Sequence, residues 1–91
     1  LGYLMTHFGR FREAVESLTK AINLQPSAIV YLHRATAYSK LEQPDLELND
    51  YNKAAEIEPN NALVYNNRAT YFLRNNKTDA ALSDLNKAIE L

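Results

Sequence analysis

The stretch VYLHRATAYS (residues 30–39) returns as VYNNRATYFL (residues 64–73), and that return decides the fold. Tyr31, Arg34, Ala35, Thr36, Asp50, Asn52, Lys53 and Ala54 recur 34 positions later as Tyr65, Arg68, Ala69, Thr70, Asp84, Asn86, Lys87 and Ala88, and Tyr38 recurs as Phe72. A weaker third copy lies upstream. Gly2, Met5, Ala14, Leu18, Ala21 and Pro26 stand 33 positions ahead of Ala35, Tyr38, Glu47, Tyr51, Ala54 and Pro59. Self-similarity at a fixed period of this length marks a stack of supersecondary units, each too small to bury its apolar face alone.

Within each copy the apolar period is helical. Tyr31, Ala35 and Tyr38, like Tyr65, Ala69 and Phe72, fall at i, i+4, i+7, and the arginine sits at i+3. After a polar break, Leu48, Tyr51, Ala54 and Ala55 repeat the pattern, and Leu82, Leu85, Ala88 and Ile89 do so in the last copy. Each unit is therefore a pair of helices. Pro26 and Pro59 end the second helix of their units, and Asn60 and Asn61 offer an N-cap to the next. Pro44 suits the first turn of a helix, Thr78-Asp79 reads as a cap of the last one, and Gly9 as the turn of the first unit. That places units at about residues 1–27, truncated at its start, 28–61 and 62–91 of one array. The first helix is then a two-turn piece over residues 1–8, which suggests a cut from a longer array.

Bulk properties exclude several classes. A chain of 91 residues with 46% hydrophobic and 23% charged residues holds one modest folded unit rather than a disordered tail. Net charge −1 and pI near 6.1 give no field that would draw nucleic acid or an acidic membrane surface. With no cysteine there is neither a disulfide framework nor a thiolate metal site, which fits an intracellular, cytoplasmic setting. His7 and His33 have no metal-ligand spacing, two glycines cannot form a phosphate-cradling loop, and no serine lies in a nucleophile context. No catalytic group, cofactor or metal is expected.

The arginine in the apolar stripe has its own logic. In a hairpin turning near residue 42, Arg34 comes opposite Asp50, and in one turning near residue 76, Arg68 comes opposite Asp84. The matching columns of the first copy hold Leu1 and Ser17, so arginine and aspartate are present together or absent together. Partly buried, bidentate ion pairs between the two helices of a unit follow as the expectation. Glu47 breaks the pattern of small residues at its column, and its carboxylate is expected to swing outward.

Paired antiparallel helices at a 34-residue period, with small residues at Gly2, Ala35, Ala69, Ala14, Ala81, Ala21, Ala54 and Ala88 and a terminal Pro26 or Pro59, resemble the tetratricopeptide repeat family over essentially the whole chain. The resemblance implies an all-α, right-handed superhelical array of antiparallel helix hairpins, about two and two-thirds repeats long. It also implies that first helices line a concave groove: Tyr3, Thr6 and His7, then Ile29, Leu32, His33, Thr36 and Lys40, then Leu63, Asn66, Asn67, Thr70 and Arg74. His7, Lys40 and Arg74 would stack as a basic wall, and the asparagines would bond a peptide backbone. The expected role is a non-catalytic scaffold holding a peptide or helix of a partner protein. The alternatives are an architectural segment docked through convex or end faces, which could also stack between copies, and a substrate-presenting region of a larger enzyme. Family members that clamp acidic chaperone tails use columns held here by Tyr3, His33, Leu63 and Asn67, which do not match that clamp.

Overall fold

The computed structural model describes the backbone from residue 2 and the side chains from residue 9 through residue 91. The described residues form five helices and no strand: α1 (Gly2–Leu24), α2 (Ala28–Lys40), α3 (Pro44–Ile57), α4 (Ala62–Arg74) and α5 (Thr78–Glu90). Helices α2 and α3 pair as one hairpin and α4 and α5 as the next, with α1 against α2, α3 against α4, and α2 touching α4. This is the all-helical repeat array that the 34-residue period implies.

Local chemistry explains most of the helix ends. Pro44 opens α3 at its first turn, where its missing N–H leaves no bond unmade. Asn61 caps α4: its side chain accepts from the Leu63 N–H at 2.9 Å and donates to Glu58 at 2.9 Å. Both hairpins turn through a residue in the left-handed region, Glu42 (φ 58°) and Asn76 (φ 60°). There the Gln43 N–H reaches back to the Tyr38 carbonyl at 3.0 Å and the Lys77 N–H to Phe72 at 2.8 Å, closing each helix with the long-range bond of a Schellman cap. The cap expected at Thr78-Asp79 lies one residue earlier. Lys77 holds the cap position without a side-chain bond, and Asp79 sits within the first turn, where its charge meets the positive end of the helix dipole.

The turn expected at Gly9 is absent, because α1 runs through it without a break. A lone glycine costs a helix interior only about 1 kcal/mol, and no proline or polar run follows to stop the helix. A Cβ at Gly9 would meet nothing within 4 Å, so no close approach demands glycine there. The expectations placed on the side chains of residues 1–8, Tyr3 and His7 among them, lie outside the described side chains.

The core follows the small columns. Ala28, Leu32, Ala35, Tyr51, Ala54, Val64 and Tyr71 form one buried cluster, with Tyr31, Leu48, Ala55 and Phe72 packed on its edge. Ala35, Ala54, Ala69 and Ala81 are almost fully buried, since a methyl side chain lets two helix axes approach closely while neighbouring rings fill the flanks. Tyr65 closes one junction by donating its hydroxyl to the Pro59 carbonyl at 2.7 Å.

Candidate partner-binding face

One arginine anchor holds each hairpin together and so sets the faces it presents. Arg34 donates through Nε and Nη2 to both oxygens of Asp50 at 2.8 Å, and Arg68 does the same to Asp84 at 2.7 and 2.8 Å. The carboxylates are buried, Asp50 completely. Each guanidinium also lies over two rings, Arg34 over Tyr31 and Tyr38, Arg68 over Tyr65 and Phe72, at 5.5 to 6.0 Å from their centroids. The aspartate hydrogen bond, opposed by burial, pushes the already high pKa of each arginine further up. The bonding capacity of these carboxylates and of two nitrogens of each guanidinium is spent inside the fold.

The column at Glu47 reverses the sequence expectation. Its side chain is buried, not turned outward: it accepts a hydrogen bond from the Tyr51 hydroxyl at 3.1 Å and pairs with Arg74 of the following unit. Arg74 also lies over the Tyr71 ring, which meets Tyr51 edge-on at 6.2 Å. A lone carboxylate would avoid that position, but one supplied with a guanidinium and a phenol does not. Arg74 is therefore a strut between units, not a free cation of the basic wall. Burial first, and then the Glu47 carboxylate, push the Tyr51 hydroxyl well above the ordinary tyrosine range.

Leu32 also leaves the proposed groove, because it points into the buried cluster with 4% of its surface exposed. What remains open is a stripe on α2 of Ile29, His33, Thr36 and Lys40, and its counterpart on α4 of Leu63, Asn66, Asn67, Thr70 and Leu73. Ile29, Leu63 and Leu73 on this face are each about half exposed, at 50%, 49% and 52%. Thr36 and Thr70 donate their hydroxyl protons to their own helix, to the Leu32 and Asn66 carbonyls at 3.1 Å. Toward a ligand they offer a methyl and an acceptor, not a donor. The Asn66 and Asn67 amides and the Lys40 ammonium make no side-chain bond among the described residues. Beside this stripe lies an apolar crevice of about 430 Å³ between Phe11, Ala14 and Leu18 of α1 and His33, Thr36 and Ala37 of α2. The arrangement can seat an apolar side chain in the crevice, bond an exposed main chain through the amides, and pair one carboxylate with Lys40.

Sequence reasoning missed the Glu47–Arg74 pair although a signal for it existed. Ala14 stands in the Glu47 column of the first unit and Lys40 in the Arg74 column of the second, so glutamate and arginine face each other at one junction and are both missing at the other. Ile29 and Leu63 stand at expected groove positions and are half exposed, whereas the exposure of Leu73 carried no such signal, since spacing alone does not say which apolar positions a neighbouring helix covers.

Comparison with known proteins bears on the whole chain. A tetratricopeptide repeat family model matches residues 1–27 and 28–61, and a second one matches residues 50–83. A FAM10 family protein of Arabidopsis thaliana is 52% identical over 50 residues, covering 54% of this chain and 11% of that protein. A TPR repeat-containing thioredoxin of the same organism is 44% identical over 55 residues, covering 59% of this chain and 14% of that one. Human tetratricopeptide repeat protein 13 is 42% identical over 57 residues, covering 63% of this chain and 7% of its own length. The chain thus spans a small part of each of these relatives. The crystal structure of MamA superimposes with a TM-score of 0.84 over 99% of this chain and 53% of that one, at 23% identity, a likeness of fold.

Proposed function

The chain belongs to the tetratricopeptide repeat family, and on that premise we propose that it is a non-catalytic scaffold that holds a peptide or helix of a partner protein on the face shared by α2 and α4. Protein interaction is the general role of such repeats. The observation that carries the finer reading is the line of half-exposed Ile29, Leu63 and Leu73 beside unbonded Asn66 and Asn67 amides. Apolar surface rimmed by polar groups is the kind of surface that partners cover. The ligand that fits is an amphipathic segment with apolar anchors and an acidic residue near Lys40, recognised partly through its backbone.

One relative is by name a repeat-containing thioredoxin, which favours as a second reading a substrate-presenting role beside a catalytic domain. Both readings use the same face. The test is affinity capture with the intact chain against Lys40→Glu/Leu63→Glu, once circular dichroism shows equal helicity. Arg74 is left unchanged because its substitution would strand Glu47. Partners retained at full yield by the double variant would refute the proposal.

A further inference from the structure

Helices α2 and α4, which share the proposed binding face, are joined through α3. Arg34 of α2 holds Asp50 of α3 with two bonds. Two further side-chain links join α3 to α4: Arg68 Nη1 donates to Asn52 Oδ1 at 2.9 Å, and Arg74 pairs with Glu47. Arg68 and Arg74 stand about 9 Å apart along α4. A single link would act as a pivot, whereas two at separate levels fix the rotation of α4 against α3.

The second link is peculiar to this junction. The first has a counterpart at the junction before it, where Arg34 donates through Nη1 to Thr19 of α1 at 3.0 Å, and Thr19 shares the column of Asn52. The columns of Glu47 and Arg74 hold Ala14 and Lys40 there, and alanine offers a cation nothing to pair with. At the α3–α4 junction the link is braced from both helices. The Glu47 side chain is buried and held by the Tyr51 hydroxyl at 3.1 Å, Tyr51 meets Tyr71 of α4 edge-on, and Arg74 lies over the Tyr71 ring.

We propose that Glu47 and Arg74 are positioning residues for the binding face: their link fixes the angle between the two hairpins, so that the stripes of α2 and α4 meet a partner in one preformed arrangement. A face ordered before binding loses less freedom when the partner arrives. The consequence for binding rests on the α2–α4 face read above, but the angle is measured without a partner.

The chain has no cysteine, so nitroxide labels enter only at introduced ones, His33→Cys on α2 and Ser83→Cys on α5, both exposed positions. Double electron–electron resonance on the labelled chain then reads the separation of the two hairpins. The variant is Glu47→Ala/Arg74→Lys, which gives this junction the residues of the one before it and strands no carboxylate. The control is the parent held in urea until its stability matches that of the variant. The expected result is a distance distribution at least about twofold broader for the variant and unchanged for the control. Equal distributions for variant and parent would overturn the positioning role, and so would equal broadening in the control, which would tie the effect to stability alone. In affinity capture at equal helicity, the variant should recover about fivefold less of a partner held by the parent. Full recovery despite a broadened distribution would overturn the role in binding and leave the face itself to the separate test of Lys40→Glu/Leu63→Glu.

Discussion

Replacing Arg34 with methionine isolates the energetics that hold a hairpin together. Methionine keeps an unbranched stem against Tyr31 and Tyr38 and removes the donors, leaving Asp50 with 0% exposure and neither of its guanidinium bonds. Breaking a buried ion pair from one side costs about 3–5 kcal/mol, and Thr19 also loses its donor. For a domain of this size each kcal/mol lowers Tm by about 4–8 °C, so a loss of about 3 kcal/mol moves it by about 12–24 °C. The reverse change, Asp50→Leu, leaves a guanidinium that is 15% exposed, can turn toward water and still sits over two rings. It should cost less, about 2 kcal/mol, and Arg34→Met/Asp50→Leu should cost clearly less than the sum of the two. Urea unfolding followed by helical circular dichroism at pH 7 measures all three. Equal stabilities for Arg34→Met and the parent, or strict additivity in the double variant, would refute the buried-pair account.

The strut between units behaves similarly: Arg74→Met should lower stability by about 2 kcal/mol, and adding Glu47→Met should restore at least half of that in the same assay, because it removes the stranded carboxylate. Glu42 holds a left-handed conformation that costs a non-glycine residue about 1–2 kcal/mol, so Glu42→Gly should raise the urea midpoint, with a net gain near 0.5–1 kcal/mol after the extra chain entropy of glycine. Tyr51 and Tyr71 both have raised pKa values, chiefly from burial. Free tyrosine titrates near pH 10, so their stabilisation is complete below about pH 10 and is lost as pH rises from there through the folded values. Melting scans should show Tm falling on that alkaline side, and Tyr51→Phe should flatten the fall.

Much of this architecture was legible because the repeat writes each column more than once. A pair such as Arg34 with Asp50 can be read when the columns of another unit supply a control, and small Ala35 and Ala69 mark helix crossings without any structure. The reading failed where a residue occurs in one unit only. Glu47 has no counterpart, and the rule that charges stay outside was overridden by Arg74, 27 positions away in sequence and adjacent in space. It failed again at Gly9, where a weak local signal was read as a turn because the other units turn there. Leu32 shows a third limit: helical spacing names a stripe, but whether that stripe is covered depends on how the preceding helix crosses it.

Site-directed photocrosslinking tests the scaffold reading most directly. A benzophenone side chain is placed at Thr36 or Thr70 on the proposed face, or at Glu56 on the opposite side of the array, and each protein is mixed with a partner recovered by the intact chain. The account predicts adducts from positions 36 and 70, lost on Lys40→Glu/Leu63→Glu, and none from position 56. Adducts from position 56 alone would place the partner elsewhere and contradict it.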